Sequence, residues 1–345
     1  LYNNIKMKKT IKIILFLALT FSLSLKGAYA LEKIKIGLLV PLTGKNYEIG
    51  QSIIKSTRLA VNQINDLSIE IIPRDTASTP EVTLRSAKEL GQLGVKIVIG
   101  PVFNKSLIYL DELNDLTFLS LTNKSDYGSQ NIINAGINAT SQLNAIKKFL
   151  ELNEIKKTIF LTPNVSYKNE IDQAISNSKI KLVERYIYSS KPTMLTNQIE
   201  KITKYKKRKQ NLADEITRLE ESSENNKEQL IEELKKKDTL GSVGFDSIII
   251  ADFDEGLKSV TTSLFYTDIS PKKKYFITLN QWFDESLLKE TSSQPLYFPS
   301  VNKNNYDDFS FKYFEKYNQY PNQLSFLSYD LVGLIYYLIL KNNSI

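Results

Sequence analysis

The first part of the chain alternates between short apolar runs and longer amphipathic segments. The run from Lys33 to Val40 alternates and then becomes continuously apolar, which is typical of a strand that enters a buried parallel sheet. The segment Ile49 to Ile64 places apolar residues three or four positions apart, which predicts a helix. Short connections join these elements to further predicted strands and helices at 69–72, 81–93, 95–100, 106–115 and 117–121. This order predicts an α/β fold with a doubly wound parallel sheet flanked by helices.

The same alternation starts again after residue 140. Apolar runs and helical spacings predict further elements at 142–152, 158–161, 169–176, 180–188, 247–251, 256–265 and 275–279. Two successive α/β sets of this size predict two lobes. We therefore expect lobe one at 31–139, lobe two at 140–280, and a return of the chain to lobe one over 281–345.

Residues 198–240 interrupt the second set. The stretch 198–237 has no Gly or Pro, and its apolar residues keep helical spacing until residues 221–226 break the run. We interpret the segment as a helical hairpin with coiled-coil character that projects from lobe two, although a partly frayed insertion is an alternative. Five cations lie between Lys204 and Lys209. They form either a solvated helix face or an electrostatic contact with anionic lipid or an acidic partner.

Two apolar segments bear on the compartment. Lys8, Lys9 and Lys12 precede the apolar stretch 13–25, and Ala28-Tyr29-Ala30 has the small residues of a cleavage site, which predicts a signal peptide cut after Ala30. Thirteen residues span only about 20 Å as a helix, too short for an anchor. No Cys follows the cleavage site, so we expect a periplasmic protein that is not a lipoprotein.

The second apolar segment, 324–340, contains Asp330 in its interior. A charge at that position is costly in lipid, so the segment is predicted to be a buried helix. No membrane span is therefore expected after cleavage of the leader.

Composition excludes several kinds of chemistry. The 345 residues include no Cys and no His, so a Ser-His-Asp triad, a Cys nucleophile and His-ligated zinc are impossible. We therefore expect a non-enzymatic protein with no cofactor and no metal. Five lysines and no acid lie in residues 1–30, so the net charge of +7 falls to +2 without the leader. The net positive charge of the whole sequence therefore does not predict nucleic-acid binding.

Loops at the carboxyl ends of the predicted parallel strands are the candidate binding region. They lie at 41–44, 101–106, 122–125, 163–167 and 252–255. In open α/β sheets ligands bind at such strand ends, and no phosphate-binding Gly-rich motif or nucleophile elbow competes with this interpretation. Two lobes that face each other across these loops describe a clamp that closes on a ligand by hinge motion.

Four motifs resemble a known family in order and spacing. The run Lys35 to Gly44, KIGLLVPLTG, resembles the opening of type I periplasmic binding proteins of the leucine/isoleucine/valine-binding class. The stretches 98–102, 118–123 and 328–332 are similar to later strands and a late helix of that family. The resemblance implies a two-lobed solute-binding protein. It would capture a small polar ligand, such as an amino acid, for an ABC-type transporter permease.

The resemblance also implies a ligand site. A carboxylate would be held by lobe one, Tyr167 would pack on the ligand, and Asp252 would pair with an ammonium group. Asp254 is expected to point outward. The structural alternatives are helix capping by Ser106 and Thr122, ordinary packing of Tyr167, and a turn role for Asn104. The implied ligand-binding residues are Asn104, Ser106, Thr122, Asn123, Tyr167 and Asp252.

A narrower resemblance supplies the alternative function. The insertion together with 238–248, 251–252 and 281–284 resembles the branch often labelled penicillin-binding protein activator. That branch implies a periplasmic regulator of peptidoglycan synthesis that contacts a cell-wall synthase. Its members are lipoproteins, whereas this chain lacks the lipidated Cys. The chain also ends sooner after the 328–332 helix than the family does, so we expect a C-terminal truncation.

Overall fold

The computed structural model describes residues 33–124, 129–281, 287 and 289–342. The predicted signal peptide at 1–30 therefore lies outside the described residues, as do three of the four residues of the 281–284 motif.

The first sheet consists of parallel strands from the early part of the chain. Its strands are β1 (Ile34–Val40), β2 (Ile69–Asp75), β3 (Ile97–Ile99), β4 (Thr117–Ser120) and β5 (Ile132–Asn134), in the order β2-β1-β3-β4-β5. Helix α1 (Tyr47–Ile64) packs on one face of this sheet and α2 (Pro80–Gln92) on the other. Both helices bury the apolar face that the sequence spacing predicted.

The second sheet repeats this arrangement. Its strands are β6 (Thr158–Pro163), β7 (Glu184–Tyr188), β8 (Ser247–Ile250), β9 (Tyr275–Thr278) and β10 (Leu296–Tyr297), all parallel and in the order β10-β9-β8-β6-β7. The helices of this part of the chain are α3 (Ala139–Leu152), α4 (Lys168–Ser178), α5 (Pro192–Ile202), α6 (Tyr205–Glu220), α7 (Lys227–Lys235) and α8 (Asp254–Tyr266). Helices α3 and α4 cover one face of the sheet, and α5 and α8 cover the other.

Two last helices, α9 (Lys303–Tyr317) and α10 (Gln323–Asn342), pack on the first sheet's helix α1. Small side chains let α10 approach α1 closely. The Ser325 hydroxyl lies 2.7 Å from that of Ser52, and the Ser56 hydroxyl donates to the Ser325 carbonyl. The fold is therefore the predicted two-lobed α/β arrangement with two doubly wound parallel sheets.

Helix α10 buries one face as far as Ile335 and is mostly exposed beyond it. Phe326, Val332 and Ile335 are buried against the first lobe, whereas Leu334 and Tyr337 are exposed. Among the described residues, α10 is the one helix long and apolar enough to cross a membrane by length and composition. The prediction that residues 324–340 form a buried helix therefore holds for the face that packs against lobe one, as far as Ile335.

Three details differ from the sequence predictions. The segment predicted as a helix at 106–115 forms two short 3-10 turns, Asn104–Leu107 and Leu110–Glu112. The buried Asn131 side-chain amide donates to the backbone carbonyls of Leu110 and Leu113, at 2.9 and 3.0 Å. In a continuous helix these carbonyls would instead accept backbone N–H groups, so the side chain competes with the helix. Strand β7 begins at Glu184 rather than 180, after the left-handed residue Lys179 ends α4. The second sheet also continues to β10, beyond residue 280 where we expected lobe two to end.

The insertion forms two helices, α6 and α7, which pack on each other. Leu212, Leu219 and Leu234 form a small apolar cluster between them, which Ile216 and Leu230 extend. This thin seam matches the apolar spacing in the sequence. We use the term hairpin for residues 205–235, and hairpin base for the end of the hairpin that joins lobe two.

The hairpin base is held by a buried arginine. Arg208 is only 4% exposed, and its guanidinium donates to the Thr203 carbonyl at 3.0 Å and to the Thr239 hydroxyl at 2.8 Å. It also donates to the carbonyl of Thr267, at the end of α8. Burial lowers the pKa of Arg208, and Asp268 opposes that shift. One side chain thus joins α5, α6 and α8.

We predict that Arg208→Met lowers the free energy of unfolding by about 2–4 kcal/mol, because it leaves buried carbonyl acceptors unpaired. Urea denaturation measures this change. Arg218→Met is the matched control, since Arg218 forms exposed ion pairs with Glu215 and Glu224. Its cost should stay within about 1 kcal/mol. An equal loss of unfolding free energy in the two variants would show that the buried contacts of Arg208 stabilise the fold no more than exposed ion pairs do.

Candidate functional site: the cleft between the lobes

A cavity of about 690 Å³ lies between the two lobes, at the carboxyl edges of both sheets. Phe103 follows β3 and Asn123 follows β4, while Asp254 follows β8 and Gln281 follows β9. Leu324, at the start of α10, completes the wall. A cavity therefore lies where the ligand site was predicted, at the ends of the parallel strands.

The wall of the cavity combines amides, apolar groups and one charge. Asp254 is the one charged side chain among the described residues of the wall, which include no Lys or Arg. Side chains of this kind suit a ligand that has hydrogen-bonding groups, an apolar part and a positive charge. The polar wall residues are Asn123, Gln142, Asp254, Asn280, Gln281 and Gln323, and the apolar ones are Val102, Phe103, Leu121, Ile137, Phe253, Leu324 and Leu327.

Of the four candidates in lobe one, Asn123 alone is part of this wall. Thr122 is buried, and its hydroxyl accepts the Lys124 amide at 3.2 Å, which fixes the local turn. Asn104 begins a 3-10 turn next to Phe103. Ser106 is 1% exposed, and its hydroxyl has no hydrogen-bond partner among the described residues. The structure thus places Thr122, Asn104 and Ser106 behind the surface of the cleft.

Asp252 is the centre of a hydrogen-bonded cluster in lobe two. Its carboxylate accepts the Phe253 amide at 2.8 Å, the Tyr167 hydroxyl at 3.3 Å and the Tyr188 hydroxyl. The carboxylate also lies over the first turn of α8, where a β-carbon on Gly256 would come within 2.5 Å of it. These donors occupy the carboxylate, and Asp252 is not part of the cavity wall.

Tyr167 acts in the same cluster. Its ring packs edge-on against Phe253, with ring centroids 5.9 Å apart, and Phe253 lines the cavity. Its hydroxyl also donates toward the Ala251 carbonyl, at 3.3 Å. Burial, followed by the charge of Asp252, raises the pKa of both Tyr167 and Tyr188. Tyr167 and Asp252 therefore hold Phe253 in the wall.

The expectation for Asp254 is wrong, because Asp254 lines the cleft rather than pointing outward. Phe253 has an extended backbone, and Asp254 then adopts a left-handed conformation with φ of 46°. This reversal at the start of α8 places Asp254 at the cavity. A non-glycine residue with positive φ is uncommon, and such residues are enriched at functional sites.

Three amides of the wall were not predicted. Gln142 lies near the start of α3, Asn280 follows β9, and the Asn280 backbone N–H donates to Gln142 Oε1 at 2.7 Å. Gln281 is buried and donates to the Leu279 carbonyl at 2.9 Å. The available signal was the predicted strand at 275–279, since Asn280 and Gln281 come directly after it.

Comparison with known proteins identifies the class of this fold. The chain shares the two-lobed fold of an ABC transporter substrate-binding protein from Desulfitobacterium hafniense, with 18% identity, a TM-score of 0.55, and coverage of 88% of this chain and 82% of that one. A branched-chain amino acid ABC transporter periplasmic ligand-binding protein from Burkholderia xenovorans gives 12% identity, a TM-score of 0.57, and coverage of 90% and 79%. No curated protein matches the sequence.

The sequence itself matches one family. Residues 33–184 match the family model described as periplasmic binding protein. The matched stretch covers less than half of the chain and includes the first sheet and the start of the second. The match confirms the resemblance to type I periplasmic binding proteins. The family consists of exported, non-enzymatic solute-binding proteins.

The cluster around Asp252 predicts a loss of stability at alkaline pH. A buried tyrosine with a raised pKa keeps its proton in the folded state, whereas the unfolded chain releases it above about pH 10. Stability therefore falls as pH rises above 10. We expect Tyr188→Phe to remove up to about 1.4 kcal/mol per pH unit of this slope, measured by urea denaturation between pH 9 and pH 11.

The matched control for this prediction is Tyr320→Phe, since Tyr320 is 81% exposed. That variant should keep the alkaline slope of the original protein. An unchanged slope in Tyr188→Phe would contradict a raised pKa of the buried Tyr188 hydroxyl.

Proposed function

We propose that the protein is an exported solute-binding protein that captures an amino acid in the interlobe cleft and delivers it to an ABC-type transporter permease. The observation that carries this proposal is the cleft itself, which both lobes line at the ends of their strands. Its volume of about 690 Å³ falls in the range of roughly 300–1,000 Å³ of small-molecule sites.

The proposed ligand orientation follows from the wall. Asp254 pairs with the ammonium group, because it is the one charge among the described wall residues. Phe103 and Phe253 contact the ligand side chain, and Asn123 donates to the carboxylate together with the glutamines of the opposite wall. In this proposal Asp254 takes the role that the family resemblance assigned to Asp252.

The remaining candidates have supporting roles in the proposal. Asp252 and Tyr167 position Phe253 through the hydrogen bonds and ring contact described above. Ser106 and Asn104 belong to the turn that follows Phe103, and Thr122 fixes the turn that presents Asn123.

The structural neighbours support an amino-acid ligand. The Desulfitobacterium hafniense protein is also known in complex with Leu, at a TM-score of 0.53 to this chain. The Burkholderia xenovorans protein is described as a branched-chain amino acid transporter component. The alternative function, regulation of peptidoglycan synthesis, stays a prediction. The hairpin is the part of the chain that would make its protein contacts.

Asp254→Asn should weaken binding of the amino acid about 10- to 100-fold, because the variant loses a charged partner of the ammonium group. A thermal-shift screen of amino acids first identifies the ligand, which at one hundred times its dissociation constant should stabilise the fold by about 2.7 kcal/mol. Calorimetry then compares affinities. The α-keto acid of the same ligand, which has no ammonium group, should bind the variant and the original protein equally.

Glu255→Gln is the matched control, since Glu255 is the next residue and its side chain is 86% exposed. It should leave the affinity unchanged. If Asp252→Asn abolishes binding without loss of stability while Asp254→Asn binds normally, the original assignment of the ammonium partner is correct. If no amino acid shifts the melting temperature, the transport function fails.

We also propose that export removes residues 1–30, on the strength of the Ala28-Tyr29-Ala30 site. N-terminal sequencing of the exported protein should then begin at Leu31. A sequence that begins at Leu1 or Met7 would show that the leader is retained.

A further inference from the structure

A groove of about 470 Å³ at the hairpin base is lined mainly by lysines. Lys201 lies in the last turn of α5, Lys204 lies just before α6, and Lys206 and Lys207 lie in the first turn of α6. The other wall residues are Asn197 and Glu200. All four lysines are exposed, and among the described residues Lys206 is the one of the four with an ion-pair partner, Glu200, at 3.9 Å. The groove therefore has a strong excess of positive charge.

The backbone creates this groove. Lys204 adopts a left-handed conformation, with φ of 53°, between the end of α5 and the start of α6. The buried Arg208 keeps this bend in place by donating to the Thr203 carbonyl. The lysines of two helices therefore surround one depression, rather than following one helix face as the sequence alone indicated.

Further lysines lie around the same base. The run Lys235 to Lys237 is exposed and precedes Thr239, whose hydroxyl accepts from Arg208. Lys272 and Lys273 are also exposed, in the segment that follows α8. The nearby acids are fewer. Asp268 bonds to Thr239, Asp246 lies 3.8 Å from Lys274, and Asp238 is exposed.

Two exposed aromatic side chains end α8, which contacts the hairpin base through the bond from Arg208 to the Thr267 carbonyl. Phe265 and Tyr266 are 56% and 55% exposed. The ring of Tyr266 lies 5.4 Å from that of Tyr205, which stands between Lys204 and Lys206 in the chain. Lysines next to exposed aromatic residues are typical of surfaces that bind a lipid interface. A small dissolved anion would engage the lysines and leave Phe265 in water.

We propose that the hairpin base docks on an anionic phospholipid membrane. Phosphate head groups enter the groove between Lys201 and Lys207, while Phe265 and Tyr266 lie at the level of the interface. The segments 240–246 and 267–274 precede β8 and β9, so the hairpin base is at the amino edge of the second sheet, and the cleft is at the carboxyl edge. A docked molecule therefore keeps its cleft directed away from the lipid.

Vesicle sedimentation tests this proposal on the protein purified after export, in its processed form. Vesicles of phosphatidylcholine with about one third phosphatidylglycerol should bind the protein at low salt, whereas phosphatidylcholine alone should not. High salt should release it. A triple variant with Lys204, Lys206 and Lys207 changed to Gln should bind the anionic vesicles about 100-fold more weakly.

The matched control has Lys88, Lys96 and Lys316 changed to Gln, which gives the same net charge with exposed lysines of lobe one. It should bind as the original protein does. Phe265→Ser should lower binding about tenfold, whereas Phe311→Ser, at a residue of α9 that is 62% exposed, should not change it.

Equal binding to neutral vesicles, or an equal loss in the lobe-one control, would overturn the proposal. Binding to beads coated with polyglutamate but not to vesicles would also overturn it and would assign the base to an acidic protein. All variants change exposed residues, and their melting temperatures check that they fold. The proposed amino-acid site lies at the opposite edge of the second sheet from the hairpin base. Loss of vesicle binding and loss of the thermal shift by an amino acid are therefore separate results.

Discussion

Parallel pairing of the strands is the constraint on which the cleft depends. Every described strand pair in both sheets is parallel, so all strands of a sheet end at one edge. Loops that are far apart in sequence therefore meet there, as Phe103 and Asn123 do in lobe one and Asp254 and Gln281 do in lobe two. An antiparallel neighbour would send its loop to the opposite edge and remove part of the wall.

In each lobe, one carboxylate fixes a loop at this edge of the sheet. In lobe one, Asp75 accepts the Leu42 amide and the Thr43 hydroxyl, both at 2.7 Å. Burial alone would raise the pKa of Asp75, but the hydrogen bonds outweigh it and lower the pKa. In lobe two, Asp252 does the same for the loop that carries Phe253. Asp252 thus shapes the wall without lining it, because Phe253 is a wall residue.

Sequence reasoning located the two lobes and the edge that carries the cavity because buried parallel strands leave mainly apolar runs, such as Ile36 to Val40 and Ser247 to Ile250. It chose Asp252 as the ammonium partner and expected Asp254 to point outward, whereas Asp254 is the acid that lines the cavity. The two acids are two residues apart, and the choice depends on the left-handed φ of Asp254 and on two tyrosines distant in sequence. The wall amides Gln142 and Asn280 were missed for a similar reason, since their contact joins residues 138 positions apart.

The packing of α10 on α1 also sets the order of assembly. Helix α1 begins at Tyr47, and the serines that meet it lie beyond residue 324. The core of lobe one therefore stays open until α10 has been synthesised, whereas the second sheet is complete at Tyr297. The early strands of lobe one thus wait for a helix that lies more than 250 residues further along the chain, and a delay of this kind favours export of a chain that has not yet folded.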